Sequence, residues 1–427
     1  MKYTLWFAAV GLSVCIAAVL NLVASNNNTV QGQAATPPAF TPNDVRVGDP
    51  AVSYANVEFT ADGQYMVWFE QTTDGTGLGA VWHCAVNPET AEFIPPDCKG
   101  FRAFESTSWG RANPGMDANG PYYVGMDRQG RLILVRPTGP TTGTAAVLPT
   151  PIDLTRRAFY PTDLPHQKKG YVFWIKNERV PGSGTDPRNR WVELQYLDLS
   201  EPTQIRVIER QERPQRGFAP MDVGFVRWFR GKPSITYGAL AKNSYVQVRE
   251  FDLTRPNPMP RDVTDDPHSK IDPFPWVFHD QDILLPGLDA RAITGVYVRS
   301  SGALKFTLAE TITPSGSALA NPSLAQSNEP IVWGGKAYTA YQINEASAGF
   351  FQTAFSQTGE IWLSTVLQSP PQQWQISENS DTAKAEPEPY VGRSRVWVFY
   401  SALPKGANPL TTTWSLRRAD TPLRRSE

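Results

Sequence analysis

Seven times along this chain a proline heads an apolar stretch that leads into an aromatic-rich strand and then a second strand of alternating polarity. The copies read GDPAVSYANVEF, NPGMDANGPYYVGM, YPTDLPHQKKGYVFW, APMDVGFVRWF, DPFPWVFHDQDILL, EPIVWGGKAYTAY and EPEPYVGRSRVWVFY. Their marks are Pro50, Pro114, Pro161, Pro220, Pro273, Pro330 and Pro389, spaced about 56 residues apart, the length of four short strands with their turns. One such unit cannot bury both faces of its sheet, whereas seven arranged in a ring can. The spacing therefore predicts an all-β chain whose residues 44–420 form a seven-bladed β-propeller, with 421–427 as a polar tail.

Composition agrees with one large β domain. Hydrophobic residues make up 41% of the chain, and 38 prolines with 32 glycines supply the turns that many short strands need. Forty basic against 41 acidic side chains leave a net charge of −1, without the long-range field that gathers nucleic acid, so no nucleic-acid partner is expected.

The first residues differ from the rest. Lys2 precedes a run from Thr4 to Ala24 without a charge, and residues 26–43 are small and polar without periodicity. Residues 1–25 read as an export signal, removed near Ser25 or Gln33–Ala35, or else retained as a transmembrane anchor through residues 4–24, with 26–43 as a linker. The Leu-Ser-Val-Cys stretch ending at Cys15 resembles a bacterial lipoprotein box with valine in place of the usual small residue. An extracytoplasmic location follows, periplasmic or at the cell surface. Cys84 and Cys98 fit it, because in an oxidising compartment they can close the loop between them as a disulfide.

Blade one holds two strand-like runs joined by Asp62-Gly63, a dipeptide suited to the positive φ of a tight hairpin. Its phrase FTADGQYMVWFE is similar to the signature of the WD40-like repeat in propellers of TolB-type periplasmic proteins, with Ala61 where proline is usual. That resemblance implies a fold and no activity. Later blades keep the rhythm in GYVFWIKN, WVELQYLDL, YVQVREFDL and FFQTAFSQTG, among others. The last blade runs out of chain after Trp414, one strand short, and TPNDVRVGD before Pro50 is available to close the ring.

An acid accompanies each mark. Asp49, Asp272, Glu329 and Glu388 precede their proline, while Asp117, Asp163 and Asp222 follow theirs. If the proline opens each innermost strand, these carboxylates ring one mouth of the channel. Crowded carboxylates can split acid and base roles, as in five-bladed glycosidases whose Asp, Asp-Pro and Glu-Pro strand starts resemble this wording, or can hold Ca²⁺. Equally, Asp or Glu before proline simply starts a strand. His279, beside Asp280 and Asp282, is a further acid–base candidate, with His268 eleven residues before it. Trp276 and Trp333, with Asp163 and Asp222, are candidate ligand contacts, the tryptophans as sugar-stacking platforms. No nucleophile elbow, phosphate loop, dinucleotide loop or zinc-helix motif occurs.

The sequence thus predicts an exported, membrane-associated propeller acting as a non-catalytic binding or assembly module, either a subunit of an envelope complex or a binder of protein or glycan. A carbohydrate-active hydrolase using the acid ring is the alternative. No cofactor is expected beyond Ca²⁺ in a third, metal-stabilised version.

Overall fold

A computed structural model describes residues 40–425 apart from 61, 108–111, 150–169, 180–189, 213–220, 230–231, 242–244, 256–257, 290–292, 301, 320–321, 346–357 and 379–381. The apolar segment with Cys15, the mark Pro161 with Asp163, and most of FFQTAFSQTG lie outside the described residues.

All regular structure among the described residues is β. After β1 (Asp44–Val47), blade one comprises β2 (Ala55–Phe59), β3 (Tyr65–Gln71), β4 (Leu78–Val86), β5 (Phe93–Ile94) and β6 (Phe101–Thr107), the last two both pairing with β4. Blade two is β7 (Asn113–Asp117), β8 (Gly120–Met126), β9 (Leu132–Gly139) and β10 (Thr142–Val147). Blade three shows β11 (Tyr171–Arg179), β12 (Arg190–Asp198) and β13 (Arg206–Glu212). Blade four is β14 (Met221–Phe229), β15 (Lys232–Leu240), β16 (Val246–Asp252) and β17 (Arg261–Asp262). Blade five is β18 (Lys270–Phe278), β19 (Gln281–Leu288), β20 (Thr294–Arg299) and β21 (Thr307–Ile312). Blade six is β22 (Pro322–Trp333), β23 (Lys336–Glu345), β24 (Gly359–Thr365) and β25 (Gln373–Gln375). Blade seven is β26 (Thr382–Val391), β27 (Arg395–Pro404) and β28 (Ser415–Arg424).

β1 is the fourth strand of blade seven, pairing antiparallel with β28 from Asp44 opposite Ala419 to Val47 opposite Leu416. The segment TPNDVRVGD closes the ring as the sequence predicts. Asp44 seals it: one carboxylate oxygen accepts from the Tyr400 hydroxyl at 2.7 Å and the Glu378 amide at 2.7 Å, the other from Arg417 at 2.8 Å. β28 runs on to Arg424, so residues 421–424 belong to the sheet rather than to a tail.

Second strands are apolar almost continuously because both of their faces are covered. In β8, Tyr122 packs against Val172 and Trp174 of blade three, while its neighbour Tyr123 turns to Val67 and Val81 of blade one. Such clusters lie at every junction of consecutive blades, and the one joining Tyr390 and Trp397 of blade seven to Tyr54 and Trp68 of blade one completes the circle. Each buried aromatic contributes on the order of 1.5–3 kcal/mol, so the junctions hold the ring closed.

Candidate functional site

Five inner strands share one irregularity. Their pairing with the second strand slips between Ala55 and Glu58, Val223 and Val226, Ile271 and Phe274, Gln326 and Glu329, and Ala385 and Glu388. Each slip sets two residues opposite one, a β-bulge formed by Asn56-Val57, Gly224-Phe225, Asp272-Pro273, Ser327-Asn328 and Glu386-Pro387. Asn56 and Glu386, first residues of their bulges, both have φ of 55°. A polar side chain tolerates that left-handed place better than a β-branched one.

This register redistributes the acids. Asp272 shares its position with Glu386 and Asn56, whereas Glu329 and Glu388 stand two residues further along, level with Glu58. The prolines in step are Pro275, Pro330 and Pro389, so the mark Pro273 is two residues out of phase. Asp49 lies exposed on the connection from β1 to β2, its carboxylate accepting from the Ala51 amide at 2.8 Å, and is no inner-strand residue. Asp117, at the tip of β7, is ion-paired to Arg136. Asp222 is placed in β14 opposite Gly238. The expected single ring of acids is therefore corrected to several levels. The one recurrent set is Glu58, Glu329 and Glu388, half-buried in the consecutive blades one, six and seven. Glu58 escaped the sequence reading because no proline follows it. Among the described residues no three His, Cys, Asp or Glu side chains gather closely enough to hold a metal ion.

His279 and Asp280 form the two-residue tip of the β18–β19 hairpin, with φ of 45° and 62°, and His279 Nε2 lies 3.2 Å from the carbonyl of Gly335 in the next tip. His268 sits beyond the other end of β18, its Nδ1 2.6 Å from Asp289. A strand of this length separates the two rings by roughly 30 Å, so they do not act together. Trp276 is buried in the junction of blades five and six, where it offers no face to a ligand. Trp333 is half-buried beneath the guanidinium of Arg425, 5.7 Å from the ring centre. Cys84 and Cys98 form the expected disulfide.

Buried charges are consumed within the scaffold. Lys270 and Lys384 occupy one register position in blades five and seven, each one residue before its bulge pairing. Lys270 donates to Gln247 at 2.8 Å and Asp266 at 2.6 Å; Lys384 donates to the Gly359 carbonyl at 2.7 Å, and burial pushes its ammonium down to about 8. Between blades four and five, Arg299 donates to Glu250 at 2.7 Å and to Asp282 at 2.9 Å, and Arg261 reaches Glu250 at 2.8 Å. His83, wholly buried, lies 2.7 Å from the Tyr123 hydroxyl and 3.1 Å from the Thr142 carbonyl, and burial pushes it down to about 4. A neutral ring donating to Thr142 and accepting from Tyr123 satisfies both contacts. On the outer rim a shallow cavity of about 290 Å³ is lined by Phe104, Glu105, Asp127, Arg131 and Val147, with Arg131 already paired to Asp127.

One end of the ring is different in kind. Val277, Val332 and Val391 hold a single register position near the inner hairpin tips of blades five, six and seven, and their exposures are 37%, 47% and 52%. Three neighbouring blades thus present the same apolar side chain at one end of the ring.

No protein family model matches this sequence, and no curated protein matches it. Among solved structures, an oligogalacturonate lyase in complex with manganese is similar at a TM-score of 0.51 and 11% identity, with 91% of this chain and 95% of that chain covered. A Trypanosoma rangeli sialidase in complex with sialic acid follows at 0.45 and 10%, covering 88% of this chain and 60% of that one. The β-propeller domain of the Trilobed protease from Pyrococcus furiosus gives 0.40 and 8%, covering 77% and 85%. The class defined is architectural: a seven-bladed β-propeller. The likeness to the oligogalacturonate lyase is one of fold.

Proposed function

We propose that this chain is an exported, membrane-held propeller that works as a binding or assembly module. The observation that carries the reading is the repeated exposed valine at one end of the ring, set against acids that stand at several levels. The Cys84–Cys98 bridge adds a non-cytoplasmic compartment, since such bonds persist where thiols are not kept reduced. Affinity purification of the full chain from detergent-solubilised membranes tests it. Fixed protein partners or a retained glycan are expected; a chain recovered alone in monodisperse form refutes the reading.

A hydrolase is the second reading, favoured by Glu58, Glu329 and Glu388 recurring at one register position. Under it, Glu329→Gln abolishes turnover of a glycan without changing the melting temperature by more than a few degrees. The likeness in fold to an oligogalacturonate lyase makes oligogalacturonates the first glycans to try.

A further inference from the structure

We propose that the end of the ring carrying the hairpin tips of blades five to seven rests on the lipid bilayer that holds the chain's own N-terminal apolar segment. This deepens the membrane-held reading above and rests on it.

Strand direction defines the face. Tips joining first to second strands and loops joining third to fourth strands emerge at the same end of each blade whose four strands are described. Arg299, the last residue of β20, pairs with Asp282 beside the β18–β19 tip, and Thr365, the last of β24, pairs with Tyr338 beside the β22–β23 tip. On this face stand Val277, Val332 and Val391, joined by Met259, Leu304 and Leu367 from the loops, 80%, 67% and 37% exposed. At the opposite end Tyr245, in the β15–β16 loop, and Val147, at the end of β10, are exposed. What sets the first face apart is the recurrence of one exposed valine position in three consecutive blades, which inter-blade packing does not require.

The chain itself leaves on this face. β1 is antiparallel to β28, and the Asn43 carbonyl accepts from the Asp420 amide, so the preceding residues run beside the end of β28. That end lies at the β26–β27 tip, where Arg424 pairs with Arg395 and the Arg425 amide donates to the Ser394 carbonyl. Phe40 packs into the cluster that includes Trp333. Between Ala24, which ends the uncharged run, and Phe40 lie residues 25–39, which even fully extended span no more than about 54 Å. The tether therefore holds this end of the ring close to any bilayer that retains residues 4–24, and contacts too weak to act in solution become effective.

Charge completes the match. Although the net charge of the chain is −1, Lys336, Arg395, Arg424 and Arg425 gather around the tips of blades six and seven, with Asp420 shared between two of them. Apolar side chains framed by cations suit the boundary between anionic headgroups and acyl chains.

The full chain, in a Cys15→Ser background, is reconstituted into vesicles of phosphatidylethanolamine and phosphatidylglycerol, with the fluorophore NBD on Val332→Cys or, as control, on Tyr245→Cys. Flotation with the vesicles is read first, because failure to float overturns the membrane-held reading rather than the orientation. In floating samples NBD at 332 is expected to gain intensity, shift to the blue and be quenched by doxyl-labelled lipid, while NBD at 245 stays as in detergent. Introducing Val277→Asp and Val391→Asp should abolish the shift at 332 without loss of flotation. Equal signals at both sites, or a water-like signal at 332, overturn the proposal. A water-like signal at 332 in vesicles that becomes shielded in native membranes assigns the face to a protein partner and overturns it equally.

Discussion

Replacing Arg299 by methionine should destabilise the ring more than any surface change, by about 3–5 kcal/mol near neutral pH. The guanidinium holds Glu250 through both carboxylate oxygens, at 2.7 and 3.2 Å, and Asp282 at 2.9 Å. All three side chains are nearly inaccessible, at 6%, 5% and 1%, so solvent cannot replace the lost partner. Methionine fills similar volume, which isolates the charge from the packing. Burial opposes ionisation of Glu250, but Arg299 and Arg261 outweigh it and hold the carboxyl below its ordinary range. In the wild type that contribution is present above the unfolded pKa and lost as pH falls through the lower, folded one. Without Arg299, burial favours protonated Glu250, so the penalty should shrink as pH is lowered from 7 towards 5. Urea midpoints followed by tryptophan fluorescence at several pH values read both effects. Arg299→Met with Glu250→Gln and Asp282→Asn should recover most of the loss, because no buried charge is then left uncompensated. A single variant within 1 kcal/mol of wild type, or a penalty independent of pH, refutes this account of the junction.

Other expectations follow from the same geometry. Cys84→Ser with Cys98→Ser should cost about 3 kcal/mol, seen as a lower urea midpoint, and added reductant should then have no further effect. His83 is favoured neutral in the fold, so its stabilisation is full above the unfolded pKa near 6.5 and is lost as pH falls towards about 4. Unfolding free energy from urea titrations should vary less with pH in that window in His83→Gln, by up to roughly 3 kcal/mol. Lys384 titrates near 8 in the fold, below its unfolded value, so wild type should gain on Lys384→Met as pH rises from 8 to 10 in parallel thermal melts. Asp44→Ala removes the acceptor of Tyr400, Arg417 and the Glu378 amide, and limited proteolysis should then cut near residues 40–48 well before the rest of the ring.

Blade number and closure were legible because both depend on coarse period and strand count. The shortage after Trp414 and the spare strand at Asp44–Val47 announced each other. Positions within a blade were not legible, because a bulge adds one residue to one strand only and a proline can stand in it or after it. Pro273 lies inside its bulge, whereas Pro330 and Pro389 lie beyond theirs, so equal-looking Asp-Pro and Glu-Pro pairs occupy different heights. Glu250 and Arg299 are 49 residues apart on different blades, and no local pattern links them. Trp276 and Trp333 look alike in sequence, yet only a packed neighbour distinguishes a core ring from one at the surface.

Because β1 pairs with β28, the earliest strand of the propeller to be synthesised waits for the latest. Blades one to six can form in turn as the polypeptide emerges, but the final sheet stays incomplete until the codons for residues 415–424 have been read. A product truncated anywhere before them leaves β1 without its neighbour and the ring open on two edges. Closure of the ring is thereby deferred until the last strand of the propeller is available to the first.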